Sequence, residues 1–119
     1  MRTKAILIDI DGTLADSPQP SDEHRKSSGD ICWMTWIRAT QYSPVHPWCS
    51  DIVSAMSIMG YHVVYLTARG ADPESKKITE DWLKRNSPVA IYELYMRDEE
   101  DTRPDKDQKQ DVLVNKEAV

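Results

Sequence analysis

The sequence predicts an α/β domain built on a parallel sheet, with a small insert after the first strand. Three observations carry this expectation. Three apolar runs of strand length follow one another along the chain, helical patterns fill the gaps between them, and chemically reactive side chains gather where the runs end. Strands that alternate with helices build right-handed βαβ units and hence a parallel sheet.

The first run is Lys4 to Ile10, K-A-I-L-I-D-I. A nearly continuous apolar stretch of this length suits a strand covered on both faces. Residues 15–46 then interrupt simple alternation. Ala15 to Asp30 is polar, contains Pro18, Pro20 and Gly29, and reads as loop. Ile31 to Tyr42 carries Trp33, Trp36, Ile37 and Thr40 at helical spacing. The whole segment is expected to be an insert lying over the C-terminal end of the first strand. The simpler alternative is a surface loop that tucks two tryptophans into the core.

Pro47 is placed as a first helical residue. Trp48, Ile52, Val53, Met56 and Met59 follow at helical spacing, and Gly60 ends the run. Tyr61 to Thr67, Y-H-V-V-Y-L-T, is β-branched and aromatic and reads as the second strand. Asp72 is expected to cap a second helix that Pro73 opens, with Ile78, Trp82 and Leu83 as its apolar stripe. Ala90 to Met96 is the third expected strand. Pro104-Asp105 would open a third helix carrying Lys109, Val112 and Leu113.

The chain has 119 residues, the size of one domain, and 1–119 is expected to fold as a single unit. Its 15 Lys and Arg against 20 Asp and Glu give a net charge of −5, which argues against a broad basic clamp on nucleic acid. Recognition of one phosphorylated end remains compatible with that charge. No apolar run approaches the ~20 residues of a membrane span. The first apolar stretch is broken by Asp9 and Asp11, too early for a signal-peptide core of ~7–15 residues. A cytoplasmic location without membrane contact is therefore expected. Cys32 and Cys49 form no Cys-x-x-Cys pattern and read as reduced thiols.

The chemistry concentrates at the end of the first strand, in Asp9-Ile10-Asp11-Gly12-Thr13. Residues two apart on a strand share a face, so Asp9 and Asp11 point to one side. Two carboxylates closing an apolar strand are costly unless a cation or hydrogen bonds compensate. Gly12 permits a sharp departure from the strand, and the Gly12 and Thr13 amides could cradle an anion. Magnesium favours one or two carboxylates together with waters and phosphate oxygens. One carboxylate can attack phosphorus, while the other protonates the leaving oxygen and then activates water. At the end of the second strand Thr67 offers a hydroxyl and Arg69 a fork suited to phosphate. Lys109 offers a point charge near the same edge, where it could neutralise a transferring phosphoryl group.

The run Ala5-Ile6-Leu7-Ile8-Asp9-Ile10-Asp11-Gly12-Thr13 resembles the first motif of the haloacid dehalogenase (HAD) superfamily, whose fold is a Rossmann-like parallel sheet. Thr67 stands at the second-motif Ser/Thr and Lys109 at the third-motif lysine. The resemblance is closer still to the 3′-phosphatase domain of phage-type polynucleotide kinases. It is carried by Met59-Gly60-Tyr61 running into Leu66-Thr67-Ala68-Arg69, by Tyr95-Met96-Arg97, and by Asp101-Thr102-Arg103-Pro104-Asp105 with Lys109.

This resemblance implies a Mg²⁺-dependent phosphatase working through an aspartyl phosphate on 3′-phosphate ends of nucleic acid or on nucleotides, in a host cytoplasm if the chain is a phage protein. It implies that Asp9 is nucleophile and metal ligand, and that Asp11 is general acid/base with its backbone carbonyl on the metal. Thr67 and Lys109 would hold phosphoryl oxygens, Arg69 would position substrate phosphate, and Thr13 would orient Asp11.

One departure from the family pattern stands out. The fourth motif, an acidic metal ligand at the end of a fourth strand, has no counterpart. Only ten residues follow Lys109, too few for a helix of about 11 residues, a turn and a strand of about 5. Asp111 falls within the expected helix, and no apolar strand precedes Glu117. In the superfamily the fourth strand pairs with the first. Without it the first strand is an open apolar edge, so dimerisation or strand exchange is expected. The alternative function is a catalytically impaired or truncated domain that binds phosphorylated ligands or a partner chain.

Other residues carry less. Asp98, Glu99, Glu100 and Asp101 read as a solvated loop, and His24, His46 and His62 show no ligand spacing. Trp33, Trp36 and Arg38 are of the types that stack on a nucleobase, while packing within the insert is the simpler expectation for the tryptophans. Arg97 and Arg103 are of the type that contacts a nucleic-acid backbone.

Overall fold

The computed structural model describes residues 4–21, 24–26, 28 and 32–97. Six elements run in the order β1 (Ala5–Asp9), α1 (Trp33–Thr40), α2 (Pro47–Ile58), β2 (His62–Gly70), α3 (Pro73–Asn86) and β3 (Glu93–Arg97). The strands form one parallel sheet in the order β1-β2-β3. This is the α/β, Rossmann-like arrangement that the alternating pattern predicts. The third expected helix and Lys109 lie outside the described residues.

The register sets the later chemistry. Ala5 pairs with His62 and Asp9 with Leu66, so the carboxylate end of β1 lies beside the middle of β2. β2 is longer than the expected Tyr61–Thr67. It continues through Ala68 and Arg69 to Gly70, which pairs with Arg97 across a register irregularity after Thr67. β3 is shorter than the expected Ala90–Met96. Its pairing begins where Glu93 meets Val64, while Ile91 lies 80% exposed and Tyr92 packs edge-to-face on Tyr65 from outside the strand.

The core lies between the sheet and its helices and is built on Ile8, Ile10, Val63, Tyr65, Trp82 and Leu83. In α3, Trp82 and Leu83 of the expected stripe are fully buried, whereas Ile78 is half-buried and Thr79 and Ser75 complete the inner face. The Trp82 indole N–H donates to the Ser43 carbonyl at 2.8 Å, which ties α3 to the segment before α2. In α2 the inner face is Cys49 and Val53, one step round from Trp48 and Ile52, which are 55% and 50% exposed. Trp48 stacks on His46 instead. Burial pushes the Cys49 thiol above its ordinary range, as expected of an inert core thiol.

The termini of the helices follow from local chemistry. Asp72 accepts the Ser75 amide at 3.1 Å and caps α3, with Pro73 at the first helical position. α2 ends in a left-handed Gly60 with φ +95°. The Tyr61 amide returns to the Met56 carbonyl and the Gly60 amide to the Ser57 carbonyl, each at 3.0 Å. No helix among the described residues is long and apolar enough to cross a membrane.

Candidate active site

Asp9 is the last residue of β1, and the chain turns immediately after it. The Asp9 carboxylate accepts the Ile10 amide at 3.0 Å. Gly12 takes φ +82°, a conformation that strains any other residue, and the turn closes through four amides. Gly12 N–H donates to Ala15 O, Thr13 N–H and Ala15 N–H to Ile10 O, and Leu14 N–H to Asp9 O, at 2.8–3.3 Å. The Gly12 and Thr13 amides, which the sequence offers as an anion cradle, both donate inside the turn.

Asp11 projects from this turn toward β2. Its carboxylate is gripped by Arg69, whose Nη2 donates to Oδ1 at 2.6 Å and whose Nε donates to Oδ2 at 2.9 Å. The Arg69 side chain is 3% exposed and that of Asp11 23% exposed. A second donor, the Ser17 hydroxyl, reaches Asp11 Oδ1 at 2.6 Å. This is the orienting part expected of Thr13.

Three further contacts fix Arg69. Its Nη1 donates to the Thr79 hydroxyl at 3.1 Å, and that hydroxyl donates to the Ser75 carbonyl. Its backbone amide donates to Thr67 Oγ1 at 3.1 Å. The Trp36 ring covers the guanidinium at 5.7 Å, in cation–π range. Trp36 is itself held by its indole N–H on the Pro18 carbonyl at 2.7 Å. Arg69 is therefore a positioning group for Asp11 in this structure, with its fork already filled by a carboxylate.

A cleft of about 600 Å³ opens over this arrangement. Asp9, Asp11 and Arg69 lie on its lining, α1 contributes Trp33 and Trp36, and Arg97 joins from the end of β3. Gly12, Thr13 and Thr67 are not among the residues that line it. Thr67 is 2% exposed, and its oxygen accepts the Arg69 amide while its own proton remains to be donated. The structure thus brings Asp9, Asp11 and Arg69 into one cleft, with Thr67 buried and bonded to the Arg69 amide.

Residues 3–117 match the family described as the polynucleotide kinase PNKP phosphatase domain. The chain belongs to this family. It is thereby a HAD-type phosphatase domain, in agreement with the motif at Asp9 to Thr13. Two solved structures share its fold. One is a chain of a Pnkp1/Rnl/Hen1 RNA repair complex, at TM-score 0.67 and 21% identity, covering 95% of this chain. The other is a chain of a Pnkp1/Rnl/Hen1 complex, at TM-score 0.64 and 22% identity, covering 93% of it. The phosphatase domain spans about a third of each of those chains, 32% and 33%. No curated protein sequence matches the chain.

Segment 32–46 of this phosphatase domain is tied down over the cleft. Arg38 makes a two-toothed ion pair with Glu74 in the first turn of α3, its Nη2 donating to Oε1 at 3.0 Å. The Arg38 guanidinium holds the Glu74 carboxyl below its usual range. Arg85 Nη2 donates to the Gln41 carbonyl at 2.9 Å. Hydrogen bonding from Ser75 likewise holds the Asp72 carboxyl below the usual range, at the cleft side of the same helix end.

Three members of the site were not read from the sequence as site residues. Ser17 and Thr79 carry no local signal, since a hydroxyl six residues past Asp11 or on an amphipathic helix is ordinary. For Trp36 the sequence offers base stacking or packing within the insert, and its place over Arg69 depends on how α1 is docked.

Proposed function

We propose that this domain hydrolyses phosphomonoesters with Mg²⁺, through an aspartyl-phosphate intermediate, and that its substrates are 3′-phosphate ends of nucleic acid or nucleotides. Residues 1–119 act as one phosphatase unit on this reading, with 15–46 as its cap insert. The observation that carries it is the shared cleft: two carboxylates from one strand end, one of them clamped by a buried arginine.

An Asp9 oxygen attacks phosphorus while the ester P–O bond breaks, and Asp11 as the carboxylic acid gives its proton to the leaving oxygen. The Asp11 carboxylate then takes a proton from water as the water oxygen attacks the phosphoaspartate, releasing phosphate and freeing Asp9. Both Asp11 oxygens accept hydrogen bonds in this structure, so one of these bonds gives way when Asp11 carries the proton. Thr67 would donate its remaining hydroxyl proton to a phosphoryl oxygen, and Lys109 would add a positive charge.

The donor set suits magnesium, which favours few carboxylates and leaves its other positions to water and phosphate. The Asp9 carboxylate and the Asp11 backbone carbonyl would hold the ion. When bound, it supplies positive charge against the phosphate oxygens.

The test is phosphate release from an aryl phosphate and from a 3′-phosphorylated oligonucleotide, with and without Mg²⁺. Turnover that requires Mg²⁺ and favours the oligonucleotide is expected. Absence of turnover on every phosphomonoester overturns the reading. It leaves the second one, a domain that binds phosphorylated ligands or a partner chain without hydrolysing them. One observation favours that second reading: both Asp11 oxygens are already engaged by Arg69 and Ser17.

A further inference from the structure

The cleft has an aromatic wall that phosphate chemistry alone does not use. Trp33 opens α1 and lines the same cleft as Asp9 and Asp11, yet it is 57% exposed. Trp36 and Trp82 are buried, at 9% and 2%, and the exposed Trp48 lies outside the cleft. Trp33 instead stands edge-on to Trp36, with ring centres 5.7 Å apart and planes at 88°. Trp36 is anchored on Pro18 and lies over Arg69. A continuous chain of contacts therefore runs from Asp11 through Arg69 and Trp36 to Trp33. It fixes the exposed indole relative to the carboxylates. The cleft volume of about 600 Å³ lies within the 300–1,000 Å³ typical of small-ligand sites and leaves room beside the carboxylates for more than a phosphate group.

We propose that Trp33 is a stacking platform for the nucleobase of the nucleotide whose 3′-phosphate lies at Asp9 and Asp11. The inference rests on the phosphatase reading for the position of the phosphate, and it adds how the rest of the substrate is held. The ligand class is a single-stranded or frayed 3′-phosphorylated end. A base inside a duplex stack presents no free face, and an aromatic ring accepts any base by its π-face. The recognition suits a chain of net charge −5, because stacking needs no broad basic surface.

The experiment compares short 3′-phosphorylated oligonucleotides that carry either a base or an abasic residue at the 3′ end. Their binding to the full chain is measured by fluorescence anisotropy in the Asp9→Asn background, so that no turnover is required. Trp33→Ala is expected to weaken the base-bearing oligonucleotide by roughly 5- to 150-fold and the abasic one by less than about twofold. Trp33→Phe should restore most of the loss. Trp48→Ala, an equally exposed tryptophan outside the cleft, should change neither. Equal losses on the two oligonucleotides, or no loss on the base-bearing one, overturn the proposal. Failure of the phosphatase reading registers separately, as absence of phosphate release by the unmutated chain, while the ratio of the two affinities still reports on Trp33.

Discussion

Arg69 and Asp11 are 58 residues apart in the chain and form a bidentate ion pair at 2.6 and 2.9 Å, with the cation almost wholly buried and the carboxylate a quarter exposed. The asymmetry has an energetic consequence. Asp11→Ala strands a buried guanidinium, whereas Arg69→Met strands a carboxylate that Ser17 and water can still serve. Breaking one side of a buried pair costs about 3–5 kcal/mol. Asp11→Ala should therefore destabilise the fold by about 3 kcal/mol, and Arg69→Met by clearly less. Urea unfolding of the two variants measures this, and an equal or reversed order would refute it.

Asp9→Asn should abolish phosphate release while leaving the fold nearly intact. The Asp9 side chain is only half-buried, and the amide oxygen of Asn can still accept the Ile10 amide. Circular dichroism and the unfolding midpoint should match those of the unmutated chain. Mg²⁺-dependent turnover retained in this variant would remove Asp9 from the role of nucleophile.

The Asp72 cap makes stability depend on pH. Its carboxyl is held below the ordinary range by Ser75, so the folded-state pKa lies under the unfolded value of about 3.9. The stabilisation is thus fully present above that value and is lost as pH falls through the folded pKa. Asp72→Ala should cost about 1 kcal/mol near neutral pH. The difference from the unmutated chain should shrink in strong acid. Paired unfolding curves at the two pH values check this, and a difference that grows on acidification would contradict the cap.

Among the described residues, β1 pairs with a strand on one side only. The side of the apolar A-I-L-I-D segment that no described strand covers is of the kind that recruits further strands. Concentration-dependent self-association is expected in size-exclusion chromatography with light scattering. A monomer stable across the concentration range would count against it.

Much of the fold was legible in the chain because its signals are local. Apolar runs of strand length, Pro47 and Pro73 at helix starts, the Asp72 cap and Gly60 at a helix end all act within a few residues, and all appear where the pattern places them. The strand limits were less legible. β2 runs past Thr67 because Gly70 finds a partner in Arg97, and β3 starts late because pairing on β2 begins at Val64. Both depend on a neighbouring strand. The inner face of α2 is Cys49 and Val53, where the larger Trp48 and Ile52 form an equally good stripe, because docking on the sheet chose between two adjacent faces.

The sequence by itself determined the parallel α/β plan, the pair of carboxylates at the end of β1 and the family to which they point, since each follows from residue spacing along one element. The tertiary structure alone decided what those carboxylates touch. The register that sets Asp9 against Leu66 brings Asp11 beside Arg69, whose fork grips its carboxylate. The docking of α1 lays Trp36 over that arginine and leaves Trp33 open in the cleft. These contacts join residues dozens of positions apart, and the packing of whole elements creates them.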